Sequence, residues 1–241
     1  MKLPLSWLQE FVNIDGLSVE EIAKKLTLAG LEVDEIRYVG WPMPGDTPQG
    51  MHSSIRHEFK TSGYSWDKDK LVVAEIREVM PHPNADRLVL CDLYDGQVEH
   101  TVLTGAPNLY EYKGLGKLSR PIKVPYAKEG AQIYDGHQEG QVLVTLKRAK
   151  IRGVESYSMV CSEKELGISD EHEGIMFLDN DAPVGMPLAD YMGDAVLDLK
   201  LLPSYARCAS ILGLAREIAA MTGKPLKIPH MAPQKSAKKE V

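Results

Sequence analysis

Hydrophobic residues in the first forty positions recur at the spacing of α-helices. The first such run predicts a short helix through Leu5, Leu8 and Phe11. Ser18 and Glu21 form a capping-box pattern, in which each side chain accepts a hydrogen bond from the backbone N–H of the other residue. A second helix should therefore begin at Ser18 and end near Gly30, and an extended segment should follow it.

Between residues 71 and 151 the pattern changes to an alternation of apolar and polar positions, which is typical of strands with one buried face. The dipeptide Asp95-Gly96 between two such runs is a strong hairpin signal. The predicted strands are 71–79, 87–94, 97–103, 121–127 and 141–151. Five short strands with Gly and Pro at the joints fit a small closed barrel. The pattern favours an OB (oligonucleotide/oligosaccharide-binding) barrel, and an SH3-like barrel is the main alternative.

The remaining stretches complete a mixed α+β pattern. Residues 40–69 show no sustained period and predict a long surface loop that marks a boundary. After the barrel, a capping-box pattern at Ser162–Glu165 predicts a short helix that ends at Gly167. The later elements expected are a strand at 175–178, a helix at 188–192, a strand at 196–202, a helix at 210–222 and a disordered tail at 231–241.

The composition indicates a folded protein without bulk affinity for nucleic acid. The 241 residues are 44% hydrophobic and carry a formal net charge of −6, so any RNA contact must come from a local basic patch. Three widely spaced cysteines predict neither a disulfide framework nor a zinc site, and they favour a cytoplasmic location. No apolar run approaches the roughly 18–20 residues that cross a bilayer, so no membrane contact is expected.

The densest positive cluster is the run Lys147–Arg152, at the end of the fifth predicted strand. Alternate side chains of a strand share one face, so Arg148, Lys150 and Arg152 would form a row suited to a phosphate backbone. The aromatic residues that would stack on bases are Tyr94, Tyr126 and Tyr157. The alternative is a solvated edge strand whose charges deter aggregation.

No pattern of residues indicates catalysis. His82 is the one histidine in a distinctive setting, and turn chemistry alone explains the prolines, asparagine and aspartate of Pro81–Asp86 around it. The other histidines are scattered, and metalloprotease, Walker and serine-nucleophile motifs are absent from the sequence. We therefore expect neither a catalytic nor a metal-binding residue on this chain.

Longer motifs give a more specific indication. Residues 71–76 (LVVAEI), 82–88 (HPNADRL), 105–108 (GAPN), 150–156 (KIRGVES) and 159–167 (MVCSEKELG) resemble, in order, the tRNA-binding OB domain of several synthetase-linked proteins. The flanking segments resemble the opening of the bacterial phenylalanine–tRNA ligase beta-subunit family; these segments are 5–8, 28–33, 166–172, 181–185 and 212–217. Together the matches extend from residue 1 to about 229.

The resemblance implies a five-stranded OB-type β-barrel inserted in a small discontinuous α+β domain. The implied segments are 1–40 plus 153–195 for the discontinuous domain, 70–152 for the barrel, 41–69 for a linker and 196–230 for the start of an editing-module region. The Ser210–Thr222 helix should then present its apolar stripe to a part of the subunit that lies outside this sequence.

The resemblance also implies a role. The chain would provide scaffold and accessory tRNA contacts in an α₂β₂ ligase that attaches phenylalanine to tRNA(Phe). The implied partners are the alpha subunit and weakly bound tRNA, and ATP and magnesium would act in the assembled enzyme with none on this chain. The candidate RNA-binding residues are Arg148, Lys150 and Arg152 of the basic run, with Asn84, Arg87 and Ser162 of the matched motifs. The alternative is a stand-alone OB-fold RNA-binding module.

Overall fold

A computed structural model of the protein describes residues 1–43, 59–138 and 140–228. The helices are α1 (Leu5–Phe11), α2 (Val19–Leu28), α3 (Leu188–Met192) and α4 (Ile211–Thr222). The strands are β1 (Lys2–Pro4), β2 (Glu32–Gly40), β3 (Lys60–Ser65), β4 (Leu71–His82), β5 (Ala85–Tyr94), β6 (Glu99–Thr104), β7 (Lys117–Ala127), β8 (Gln132–Tyr134), β9 (Leu143–Thr145), β10 (Ala149–Ile151), β11 (Val154–Ser156), β12 (Met159–Val160) and β13 (Asp194–Lys200).

The contacts divide the described residues into two compact units. The first contains residues 1–37, 59–61 and 195–228, and the second contains residues 38–43, 62–138 and 140–194. This grouping differs from the expected one, because residues 195–228 rather than 153–195 accompany the N-terminal segment. The reason is the pairing of β13 with β1 and β2, whereas Cys161, Leu166 and Leu188 share a buried core with residues of β4.

The helices of the first unit confirm the predictions from local patterns. In the capping box of α2, the Ser18 hydroxyl accepts from the Glu21 N–H at 3.1 Å, and the Glu21 carboxylate accepts from the Ser18 N–H at 2.8 Å. Helix α4 begins after Ser210, whose hydroxyl accepts from the Gly213 N–H at 3.0 Å. It ends at Gly223 in the left-handed conformation, with φ of +69°.

Helix α4 is not left uncovered. Its residues Leu214, Ala215 and Ile218 are buried, and the helix contacts α1 and α2. The expectation that its apolar stripe would face a part of the protein outside this sequence is therefore wrong for the middle of the stripe, because Leu214 and Ile218 are buried within the same unit, whereas Ile211 and Met221 are partly exposed.

An antiparallel sheet of five strands, in the order β12-β7-β4-β5-β6, forms the centre of the second unit. Four of its strands match the predicted strands at 71–79, 87–94, 97–103 and 121–127. Its edge strands β6 and β12 lie near each other. The described residues nevertheless show no ladder that closes this sheet, so the OB-type barrel stays a prediction.

The fifth predicted strand, 141–151, is wrong. The chain there forms β9, which pairs with β8, and then β10, which pairs with β11. Leu146, just after the last paired residue of β9, still donates to the Ala131 carbonyl at 2.9 Å and accepts from the Gly130 N–H at 2.9 Å. Beyond Leu146 the chain forms the separate β10–β11 hairpin.

Two further elements differ from the prediction. Residues 162–167 form hydrogen-bonded turns rather than a helix, although Ser162 and Glu165 do make the capping-box bonds. Residues 175–178 do not form a strand. Met176 and Leu178 donate single hydrogen bonds to the carbonyls of Cys161 (2.9 Å) and Lys123 (2.8 Å), respectively. The helix at 188–192 and the strand at 196–202 are confirmed as α3 and β13.

The predicted loop at 40–69 is wrong at its end, because β3 occupies Lys60–Ser65 and pairs with β2. A methyl group at Gly63 would lie 1.8 Å from the Tyr38 carbonyl oxygen, and φ there is +102°, so only glycine permits this approach. Residues 44–58 of that loop, and the predicted tail at 231–241, lie outside the described residues. None of the described helices has the length and apolar character needed to cross a membrane.

Candidate nucleic-acid interface

The basic run lies on the hairpin of β10 and β11. Lys150 pairs with Glu155 in the ladder, and the two-residue turn is Arg152-Gly153. Both turn residues have positive φ, +49° and +95°, as in the type I′ turns that match strand twist. The predicted row of Arg148, Lys150 and Arg152 on one strand face is therefore wrong, because Arg152 is in the turn and Arg148 precedes the strand.

The three cations of this run differ in how far their charge is compensated. Arg148 pairs with Glu129 at 3.0 Å and with Glu155 at 3.2 Å, and the hydrogen bond to Glu129 raises the pKa of its guanidinium. Lys150 and Arg152 are exposed, and within the described residues no ion pair joins them to a carboxylate. A phosphate would therefore meet the charges of Lys150 and Arg152 more readily than that of Arg148.

The turn between β4 and β5 adjoins this hairpin. A methyl group at Gly153 would lie 3.9 Å from Asn84 Nδ2, and Asn84 and Arg87 are both exposed. Two side chains that follow β6 fix this turn: the Tyr110 hydroxyl donates to the Arg87 carbonyl at 2.8 Å, and the Lys113 ammonium donates to the Asp86 carbonyl at 3.0 Å. We call the resulting surface the basic tip, comprising Asn84, Arg87, Lys113, Lys150 and Arg152.

Sequence analysis did not identify Lys113. It lies just after a 3-10 helix, Pro107–Tyr112, inside a stretch with no repeating pattern, and the sequence gives no signal that would bring it to the β4–β5 turn. Its place depends on Tyr110, which bridges the carbonyls of Arg87 and Gly105.

Ser162, the remaining candidate, is not available to RNA. It is 4% exposed, its hydroxyl donates to the Glu165 carboxylate at 2.9 Å, and its backbone N–H donates to the same oxygen at 2.6 Å. The capping-box pattern that suggested a helix here explains why a serine is present.

The predicted stacking residues do not offer free rings. Tyr126 is fully buried, so it cannot stack on a base. The Arg77 guanidinium lies 4.2 Å from the ring centre of Tyr94, and that of Arg148 lies 4.7 Å from the ring centre of Tyr157. Because both rings are half-buried and a guanidinium covers one face of each, this surface favours contacts with phosphates over contacts with bases.

His82 has the structural role expected of a turn. It is 6% exposed, and its Nδ1 accepts from the Asn84 N–H at 3.0 Å, which fixes the start of β5 beside the basic tip. Across residues 1–43, 59–138 and 140–228, no three His, Cys, Asp or Glu side chains lie close enough to hold a metal ion.

The same unit also carries an acidic cavity of about 310 Å³. Three glutamates line it, Glu163, Glu171 and Glu173, together with Asn108 and Ile175. The carboxylates would repel a phosphate backbone, so they limit where the unit can accept RNA. The local separation of charge explains how a chain with a net charge of −6 can still present a basic surface.

Comparison with known families first gives the class of module. Residues 71–120 and 130–187 match a family model described as a putative tRNA binding domain. The matched residues include strands β4, β5, β6 and β12 of the five-stranded sheet, the first part of β7 and every residue of the basic tip.

Relatives then extend the similarity to the rest of the chain. The chain is 42% identical over 92% of its length to the phenylalanine--tRNA ligase beta subunit of Dehalococcoides mccartyi, and 39% identical over 96% to that of Syntrophus aciditrophicus. The subunit of Cupriavidus pinatubonensis is 38% identical over 97% of the chain. These matches confirm the resemblance predicted from the sequence.

The chain spans only about a quarter of these relatives, 23%, 24% and 25% of their respective lengths. A solved structure, described as a crystal structure of a MetRS related protein from Pyrococcus horikoshii, is 17% identical and covers 48% of this chain and 86% of its own. Its TM-score of 0.32 is too low to support a conclusion about the fold.

Proposed function

We propose that this chain is the N-terminal part of a phenylalanine–tRNA ligase beta subunit, where it provides scaffold and an accessory contact with tRNA. The observation that carries this proposal is the similarity to beta subunits over 92–97% of the chain. A stand-alone RNA-binding module is less well supported, because the similarity continues beyond residues 71–187 into both flanks. The nearness of β6 and β12 supports an OB-type barrel as the architecture of the tRNA-binding module.

The catalytic steps belong to the assembled enzyme in this proposal. The alpha subunit is the partner, ATP and magnesium act in the complete cytoplasmic enzyme, and this chain contributes no reacting group. The chain alone should therefore give no pyrophosphate exchange with phenylalanine and ATP. Robust exchange by the purified chain would contradict the proposal.

The basic tip is the surface that we assign to tRNA. Arg152 supports this assignment, because a non-glycine residue at φ of +49° costs stability of roughly 1 kcal/mol. Asparagine or glycine would occupy that turn position at lower cost. An arginine there places an exposed cation at the end of the hairpin, next to the turn that carries Asn84.

A titration of the chain with a tRNA(Phe) transcript tests the assignment. We expect weak binding, with a dissociation constant in roughly the micromolar range at low salt, that weakens steeply as salt rises. Lys150→Ala with Arg152→Ala should lower the slope of log affinity against log salt by about two, one for each lost phosphate contact.

The matched control is Lys2→Ala with Lys227→Ala, which removes the same charge from exposed positions of the other unit. The control should change the slope little. Equal losses in both double variants would show that net charge alone governs binding, and this result would contradict the assignment of the basic tip.

A further inference from the structure

The β10–β11 hairpin has no ladder partner other than itself. It forms a separate two-stranded sheet in the part of the chain that the structure describes. An isolated two-stranded hairpin is at best marginally stable in water, so contacts outside its ladder must fix its position. One set of such contacts lies toward β6, which β11 approaches.

One chain of polar contacts links the hairpin to β6. The Tyr157 hydroxyl, just after β11, lies 3.4 Å from His100 Nδ1 on β6. On the other side of the imidazole, His100 Nε2 lies 3.2 Å from the Asp95 carboxylate. The rings of His100 and Tyr157 also meet edge to face, with centres 6.3 Å apart.

Asp95, at the end of this series of polar contacts, is itself held in place by several donors. It is 4% exposed, and it accepts from the N–H groups of Gln97 (2.9 Å) and Val98 (2.7 Å) and from the Lys128 ammonium (3.0 Å). Burial alone would raise the pKa of Asp95, but these donors outweigh it and hold the pKa well below its usual range. The carboxylate therefore stays charged and orients the imidazole so that Nδ1 faces Tyr157.

We propose that Asp95, His100 and Tyr157 are positioning residues that hold the β10–β11 hairpin against β6, so that Lys150 and Arg152 meet the tRNA backbone in a fixed arrangement. This inference rests on the function proposed above for the basic tip. The three residues contact the hairpin or β6 and not the RNA. They therefore affect how firmly Lys150 and Arg152 are held, and they leave the positive charge of the basic tip unchanged.

Tyr157→Phe is the sharpest variant, because it removes the hydroxyl and keeps the ring beneath Arg148. Tyr94→Phe is its matched control. Tyr94 also has an arginine over its ring, Arg77 at 4.2 Å, and its hydroxyl donates a single hydrogen bond, to the Gly96 carbonyl at 2.9 Å. The two substitutions therefore remove the same atom from similar settings, and only Tyr157 adjoins the hairpin.

Two measurements on the full chain test the proposal. Amide hydrogen exchange of residues 149–156 should be about three- to tenfold faster in Tyr157→Phe and unchanged in Tyr94→Phe. Affinity for the tRNA(Phe) transcript should fall by a similar factor in Tyr157→Phe, at every salt concentration, with the salt slope unchanged because Lys150 and Arg152 remain. His100→Ala should produce the same loss, and the double variant should add little to it.

Unchanged hairpin exchange in Tyr157→Phe would overturn the proposal. So would faster exchange with unaltered affinity, if Lys150→Ala with Arg152→Ala does weaken binding. A wild-type chain that does not bind tRNA at all would overturn the proposed function of the basic tip and the RNA half of this inference. The exchange measurement then decides separately whether the three residues anchor the hairpin.

Discussion

The five-stranded sheet and the segment at 141–178 belong to the same unit, yet they are stabilised in different ways. The sheet buries apolar side chains from neighbouring strands, among them Ile76, Leu93 and Val124, each 0% exposed. Outside β12, the segment also buries Cys161 and Leu166, but it is tied in addition by polar bonds to distant backbone. Examples are Lys164 to the Gly136 carbonyl at 2.7 Å and the Tyr64 hydroxyl to the Glu165 carbonyl at 2.9 Å. Burial is visible in a local pattern, whereas such ties are not.

Truncation in the sheet core should have the largest effect. Leu93→Ala removes a fully buried side chain of β5 and should lower the free energy of unfolding by about 3–4 kcal/mol, through lost burial and the cavity left behind. Urea titration measures the loss. Val98→Ala, at a position 56% exposed, is the control and should change stability by less than about 0.5 kcal/mol. A small loss in Leu93→Ala would show that burial does not dominate the sheet.

Asp95, directly after β5, is a buried polar residue, and Asp95→Ala should cost about 2–3 kcal/mol because it leaves buried donors without an acceptor. Since its pKa is lowered in the folded state, its charge contributes stability above the unfolded pKa of about 4. That contribution is lost as pH falls toward the folded value. The stability difference between wild type and Asp95→Asn should therefore shrink between pH 7 and pH 3, and a constant difference would contradict this account.

Removal of one polar bond of the 141–178 segment should destabilise only the residues around that bond. The Asn108 amide donates to the Ile175 carbonyl at 2.8 Å and accepts from the Ile175 N–H at 3.2 Å, so Asn108→Ala should cost about 1–2 kcal/mol. Hydrogen exchange should rise around Ile175 and stay low in β4 and β5. Gly174→Ala, whose added methyl would lie 2.7 Å from Asn108 Cγ, should have the same local signature. Faster exchange throughout the sheet in either variant would show that the two regions are not independent.

The smallest expected change is in the β10–β11 turn, where charge and conformation can be separated. Arg152→Asn supplies the Asn-Gly pair that suits two positive φ values, so stability should stay equal or rise by up to about 0.5 kcal/mol. Affinity for tRNA should nevertheless fall, because the phosphate contact of one cation is lost. Thermal unfolding together with a salt-dependent tRNA titration checks both halves, and undiminished affinity would remove Arg152 from the interface.

The same contrast explains what the sequence could and could not predict. Strands β4, β5, β6 and β7 follow from alternation, and α2 and α4 follow from their caps and apolar stripes, because each pattern is local. Strand β12 has only two residues and pairs through β7, so no pattern marks it. Ser162 and Glu165 form the capping-box hydrogen bonds although no helix follows, because the chain turns at Gly167, where φ is +71°.

For the candidate interface, the sequence identified the charges but not their arrangement. Lys150, Arg152, Asn84 and Arg87 stand in motifs that can be recognised. The structure places Arg152 and Asn84 on adjoining turns, Lys150 on β10 and Arg87 on β5. The compensation of Arg148 by Glu129 could not be foreseen, because the two residues lie on different segments and meet through tertiary packing. Burial of Tyr126 follows from the end of β7, where four consecutive residues are buried and strand alternation is lost.

The pairing of β1 with β13 has a consequence for how the chain is made. Leu3 lies opposite Leu197, so the first strand has no partner until nearly two hundred further residues have been synthesised. At ribosomal rates of about 5–20 residues per second, that interval is roughly 10–40 s. The last strand of the five-stranded sheet, β12, ends at Val160, so during translation that sheet is complete in sequence while the N-terminal unit still waits for β13.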